Sequence, residues 1–485
     1  MATLLEPTAD RADLVNGPWF HLIDGALVGS ETSFEVIDPA TGTPFAQCPS
    51  AGQTELERAI AAAKRAFPAW SRVPAEERRA LLNAFAQRIR DHAQALHPLL
   101  TREQGKPLAD ALMELQRTAD HIDGMAALPL ESVVLSETPT EKIVQRWRPI
   151  GVVAGIAPWN VPVALAMHKV AHALYTGNTM VLKPSPYTPL TTLAVAALAV
   201  DIFPAGVLNI LAGGNELGAL MTSHPDIEKV SFTGSVATGK KVASSSADTL
   251  KRVTLELGGN DPALVLADAD VEKSADGIAR SAFSNCGQIC MAVKRVYVAA
   301  PLYEQMVEAL VKRAEAIPYG PGNQQGVRMG PIQNAMQYNK VKSVIDRTRA
   351  DPSARFETGG ALPEGPGYFV PPTIVTGLSE DAPLVSEEQF GPVLPVLRFE
   401  DEEDAIARAN NTRFGLGASV WSADVARAAS VGERLEAGQV WINRHGGNPA
   451  HVPFGGAKES GLGREHGVEG LRAYMEMQVV SLPLA

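Results

Sequence analysis

The sequence predicts an α/β protein made of two tandem lobes, each organised on a parallel sheet. Short β-rich runs alternate with helical segments from Gly151 onward, and a similar alternation restarts at Val253. Strand and helix alternating at this spacing build βαβ units, whose strands lie parallel. A length of 485 residues leaves room for about three domains at ~150 residues each, so two such lobes fit.

In order along the chain, a helix over 54–67 opens with a capping-type Thr54 followed by Glu57, and Leu56, Ile60, Ala63 and Phe67 share one face. Residues 74–100 repeat the pattern, with Leu81, Leu82, Phe85, Ile89 and Leu96 on one side and Glu76, Glu77, Arg78 and Arg79 in the opening turns. Then come a buried strand over 151–156, a helix over 162–174, a strand over 179–182, a helix over 191–202, and strands over 207–211 and 229–232. The second series has strands over 253–257 and 263–266, a helix from Val271, and a strand over 295–298. Two stretches break the rhythm. Residues 131–147 hold two β-rich runs around a Thr-Pro turn, and 478–484 form another such run. Exposed strand edges of this sort commonly pair with another chain.

Composition narrows the function classes. Hydrophobic residues make up 45% and charged residues 20%, which excludes a disordered or collagen-like chain. A formal net charge of −11 attracts neither nucleic acid nor an anionic membrane surface. Three cysteines, Cys48, Cys286 and Cys290, cannot make a disulfide framework and point to a reducing compartment. Residues 1–13 have no signal-peptide pattern, and the apolar stretch 193–200 stops at Asp201, far short of the ~20 residues of a membrane span. A cytoplasmic protein is expected.

Four local patterns can carry chemistry. Cys290 follows Gly287-Gln288-Ile289, beside an expected helix start whose backbone N–H groups would favour a thiolate. An isolated cysteine is more often a small buried hydrophobe. No Cys/His quartet accompanies it, so no metal is expected. Glu256 ends a β-run before Gly258-Gly259. It is either a solvent-facing strand end or a base whose pKa burial has raised. Asn160, in Pro158-Trp159-Asn160, is either a helix cap or a donor to an oxyanion. Gly234 to Gly239 lie between a strand and a helix and suit a phosphate at a helix N-terminus. Lys183 adds a cation after another strand. Together these supply a nucleophile, a base, an oxyanion donor and a dinucleotide-type loop.

These motifs, in this order, resemble the NAD(P)-dependent aldehyde dehydrogenase superfamily. The likeness runs through PWN (158–160), KPS (183–185), FTGS (232–235), LELGG (255–259), GQIC (287–290), EEQFGP (387–392), PFGG (453–456) and SGLGRE (460–465). It implies a Rossmann-type cofactor domain (1–130 and 149–255), an α/β catalytic domain (256–458), and a β-strand element (131–148 and 471–485) that builds a homodimer or homotetramer. It further implies that Cys290 attacks the aldehyde, Asn160 holds the oxyanion, Glu256 activates the hydrolytic water, and Lys169 and Glu465 relay protons. NAD or NADP would lie against Ile156, Trp159, Lys183, Ser185, Pro186, Gly234, Ser235, Leu257, Glu388 and Phe390. The substrate would meet Val161, His168, Ile289, Met291, Asn448 and Phe454.

Two departures from the family pattern matter. Pro186 stands where a ribose-binding Glu is frequent, which leaves NADP open beside NAD. Val161, His168, Asn448 and His451 replace a largely aromatic tunnel lining, so an aromatic or functionalised aldehyde is expected. A semialdehyde dehydrogenase of a catabolic pathway is the alternative; its CoA-acylating type would lack Glu256, a cofactor-free cysteine hydrolase would need a His partner for Cys290, and a non-catalytic scaffold would not need Cys290, Glu256 and Asn160 intact.

Overall fold

The computed structural model describes residues 15–484, so the N-terminal expectation for 1–13 lies outside the described residues. Two antiparallel hairpins come first, β1 (His21–Ile23) with β2 (Ala26–Val28), and β3 (Ser33–Asp38) with β4 (Thr43–Pro49). Helices α1 (Gln53–Trp70), α2 (Ala75–Gln104) and α3 (Leu108–Ala126) follow. Helix α1 begins one residue before Thr54, and Thr54 is not its cap. The Glu55 carboxylate accepts from the Gly52 N–H at 2.8 Å instead, because a first-turn Glu reaches back to the orphan donor. Helix α3 was absent from the sequence-based expectation, although Ala111, Leu115, Ala119 and Ile122 form its buried stripe.

After the hairpin β5 (Val133–Glu137) and β6 (Glu141–Pro149), the first βαβ series runs as expected. It comprises β7 (Val152–Ile156), α4 (Pro162–Tyr175), β8 (Thr179–Lys183), α5 (Leu190–Ala197), β9 (Leu208–Ile210), α6 (Asn215–Ser223), β10 (Lys229–Thr233), α7 (Val236–Ala247) and β11 (Arg252–Glu256). The second series begins with β12 (Asp261–Val265), α8 (Val271–Phe283) and β13 (Val293–Ala299). It continues through β14 (Arg355–Thr358), β15 (Thr373–Thr376), β16 (Val393–Phe399), β17 (Phe414–Gly415), β18 (Gly417–Trp421) and β19 (Gln439–Ile442). Short strands β20 (Ala457–Lys458) and β21 (Gly461–Leu462) precede β22 (Met475–Pro483).

The first sheet has the order β2-β1-β9-β8-β7-β10-β11-β21, with β9 to β11 parallel. Strand order reverses between β7 and β10, which opens a crevice at the C-terminal ends of these strands. The second sheet has the order β14-β15-β16-β13-β12-β18-β19 and is parallel except for β14. Glu256 ends β11 and Asp261 starts β12. The C-terminal edge of one sheet therefore meets the N-terminal edge of the other across four residues of connecting chain.

The two rhythm-breaking stretches pair with each other. β22 runs antiparallel to β6 from Met475↔Pro149 to Pro483↔Glu141, and β5 closes the other side of β6. The tail edge thus finds its partner within the chain. Val133, Val134, Leu135, Met477 and Val479 remain exposed on this sheet. Among the described residues, no helix is long and apolar enough to cross a membrane.

Candidate active site

Cys290 is not at a helix start. It lies in a turn between a 3-10 turn (Ser284–Gly287) and β13. Three consecutive left-handed residues lead into it, Asn285 (φ 50°), Cys286 (φ 58°) and Gly287 (φ 70°). Backbone held in this region is costly for non-glycine residues and is retained where the surroundings enforce it. Only glycine fits at 287, where a Cβ would come within 2.4 Å of the Gly391 carbonyl oxygen. Burial pushes the Cys290 thiol up to about 12, the nearby Lys294 ammonium opposes this, and Glu256 adds to it. Lys294 Nζ donates to the carbonyls of Ile289 (2.9 Å) and Cys290 (2.6 Å) and lies 3.8 Å from Glu388.

Glu256 is buried, not a solvent-facing strand end, and its Oε1 has no hydrogen-bond partner among the described residues. Burial, reinforced by the charge of Glu465, holds its carboxyl well above the ordinary carboxylate range. Lys169 Nζ donates to Glu465 (2.6 Å), Thr233 Oγ1 (2.8 Å) and Ser231 Oγ (3.1 Å). Burial raises the Glu465 carboxyl, but the Lys169 ammonium more than offsets this and holds it at about 2.

Asn160 does not cap α4. Its Nδ2 donates to the Gln288 carbonyl at 2.8 Å, while Glu114 of α3 takes the free helix N–H groups of Val163 (2.9 Å) and Ala164 (3.2 Å). Lys106 pairs with Glu114 and donates to the Asn160 carbonyl at 3.2 Å. The segment bearing the Asn160 amide is thereby tied from both sides.

The expected cofactor residues gather at the crevice. Ile156, Trp159, Lys183, Ser185, Pro186, Gly234, Ser235 and Leu257 follow or end β7, β8, β10 and β11. Ser235 caps α7, its hydroxyl accepting from the Thr238 N–H at 3.2 Å. The buried Lys183 ammonium donates to the Pro184 carbonyl at 3.2 Å, which leaves donors for a hydroxyl or phosphate, and burial lowers it to about 8. Glu388 and Phe390 reach the crevice from the second lobe. Glu388 accepts from the Gly259 N–H at 3.0 Å, and Phe390 meets Trp159 edge-on with centroids 5.4 Å apart. A Cβ at Gly258 would lie 2.3 Å from the Glu388 carboxylate, so the glycine admits this approach. The donors and the open strand ends fit a dinucleotide.

On the other side of Cys290, Ile289 and Met291 line a cavity of about 470 Å³. Asn448 Nδ2 contacts the Met291 sulfur at 3.2 Å, and Phe454 stacks on His466 with centroids 5.9 Å apart. Val161 precedes α4, and His168 lies within it. His168 joins His121 of α3 and His466, a cluster the sequence reading missed because its members are far apart in the chain. The His121 and His168 rings stack at 3.6 Å with 25° between planes. The ring nitrogens of the three lie within 4.8 Å of one another, and His466 Nε2 and His168 Nδ1 share a hydrogen bond of 3.3 Å. Burial lowers all three, so they form a neutral polar wall. His451 is exposed.

A profile of the aldehyde dehydrogenase family matches residues 27–480. The chain belongs to the aldehyde dehydrogenase family. Betaine aldehyde dehydrogenase 1 of Rhizobium meliloti (strain 1021) is 40% identical over 470 residues, covering 95% of this chain and 96% of that one. Among solved structures, the NAD+ complex of the aldehyde dehydrogenase from Bacillus cereus superposes with a TM-score of 0.95 at 36% identity, with 100% of both chains covered. An NADP-dependent enzyme of E. coli matches with a TM-score of 0.93 at 38% identity, covering 96% of this chain and 98% of that one. As an aldehyde dehydrogenase, the protein is an oxidoreductase.

Proposed function

We propose that the protein oxidises an aldehyde to the free carboxylic acid with NAD or NADP, through an acyl group carried on Cys290. The carrying observation is the convergence of Cys290, the buried unpartnered Glu256 and the tethered Asn160 where the two sheets meet. Cys290 Sγ, its proton released to water, adds as a thiolate to the carbonyl carbon, and the nearby Lys294 ammonium favours that thiolate. The Asn160 amide and the Cys290 backbone N–H hold the oxyanion of the thiohemiacetal. A bound NAD or NADP supplies the hydride acceptor. The thioester left on Cys290 is cleaved by water that Glu256 deprotonates, and Lys169 and Glu465 carry the proton away. Lys183 and Ser235 orient the adenosine and pyrophosphate regions, and Glu388 and Phe390 the nicotinamide side.

A water-activating glutamate favours hydrolysis over transfer to CoA. The polar wall at His168 and Asn448 suits an aromatic or functionalised aldehyde. Residues 1–130 and 149–255 serve the cofactor and 256–458 the chemistry. The exposed apolar strands of 131–148 and 471–485 join subunits of a homodimer or homotetramer in the cytoplasm. The test is formation of reduced nicotinamide across aliphatic, aromatic and ω-carboxyl aldehydes, with NAD and NADP run separately. No turnover of any aldehyde with either cofactor would overturn the proposal.

A further inference from the structure

We infer that the aldehyde carries an anionic group, a carboxylate or phosphate, held at the mouth of the cavity by Arg117, Arg280 and Arg444. This rests on the proposed function and specifies its substrate class. The three arginines come from α3, α8 and the loop after β19, and all line the same cavity of about 470 Å³ as Ile289 and Met291, the neighbours of Cys290. All three are exposed, and none has an acidic partner within ion-pair distance among the described residues. The one carboxylate in the lining, Asp276, is taken by Arg313 at 2.6 Å. The remaining cation, Lys273, is 3.3 Å from Asp270. On a chain of net charge −11, three unpaired guanidinium groups at one opening form a local positive field.

The rest of the wall agrees. At the rim, Gly446 and Gly447 have left-handed φ of 87° and 92°, and a Cβ on either would meet nothing within 4 Å, so the opening is unobstructed there. Guanidinium groups bind carboxylate and phosphate oxygens in pairs of parallel hydrogen bonds, which an uncharged tail cannot accept equally.

The test uses the full-length enzyme with three probes of equal length: an ω-carboxyl aldehyde, a phosphorylated aldehyde and an unbranched alkyl aldehyde. At least one anionic probe should exceed the alkyl probe about 10-fold or more in kcat/KM, chiefly through KM. Which anion wins separates carboxylate from phosphate. The ratio of anionic to alkyl probe should fall toward one in Arg117→Ala/Arg280→Ala, recover in part in the double Lys variant, and shrink at high salt. Equal kcat/KM for the three probes, or a ratio the variants leave alone, would overturn the inference while leaving the proposed function standing. If no aldehyde turns over, calorimetry with succinate and with inorganic phosphate decides the point separately. Binding that weakens in the double Ala variant supports the anion site, and no binding overturns it.

Discussion

The side-chain amide of Asn160 donates to the Gln288 carbonyl at 2.8 Å, which ties the turn after β7 in the first lobe to the loop that presents Cys290 in the second. The bond uses one amide proton, and under the proposed mechanism the other serves the developing oxyanion. Asn160→Ala should lower kcat by ~10²-fold, with a smaller change in KM, measured by steady-state kinetics. An unchanged kcat would reduce Asn160 to a structural tie between the lobes.

Glu256→Gln keeps the shape of the side chain and removes the base. The variant should release a burst of reduced nicotinamide and then stall, with an acyl adduct on Cys290 visible by intact-protein mass spectrometry. Steady turnover at the wild-type rate would show that another group activates the water.

The Lys169–Glu465 pair makes a prediction about stability. Glu465 is held at about 2 against an ordinary value of 4.5, so its stabilisation is complete above about 4.5 and is lost as pH falls toward 2. Lys169→Met leaves a buried carboxylate without its cation and should cost about 3–5 kcal/mol at neutral pH. Urea denaturation at several pH values reads both effects. A Lys169→Met variant as stable as wild type at neutral pH would contradict the pairing.

Much of this arrangement was legible in the residues and part was not. The strands from Val152 to Val298 were readable because a buried parallel strand is a continuous apolar run whose ends are marked by Gly and Pro. Glu256 stood out because a carboxylate ending such a run is costly unless it has a task. What failed was long-range. That Glu114 caps α4 and that His121 and His466 meet His168 both depend on packing between distant segments. The stripe of α3 stands in the sequence at helical spacing, Ala111, Leu115, Ala119 and Ile122. The first-turn contest between Thr54 and Glu55 was a matter of one residue, below what periodicity resolves.

Lys183 bears on cofactor choice. Burial lowers its ammonium to about 8, so in the free enzyme it loses its proton, and its attraction for a 2′-phosphate, as pH rises through that value. KM for NADP should therefore rise relative to KM for NAD across pH 7 to 9, and Lys183→Met should flatten the trend. A ratio independent of pH in the wild type would place Lys183 away from the ribose.

The central claim is that Cys290 carries the acyl group, and one comparison tests it most directly. Wild type and Cys290→Ala are assayed for reduced nicotinamide with the aldehyde that the wild type turns over best, and cofactor affinity is measured on both by fluorescence. The account predicts that turnover disappears while cofactor affinity stays nearly unchanged. Continued aldehyde oxidation by Cys290→Ala would contradict it.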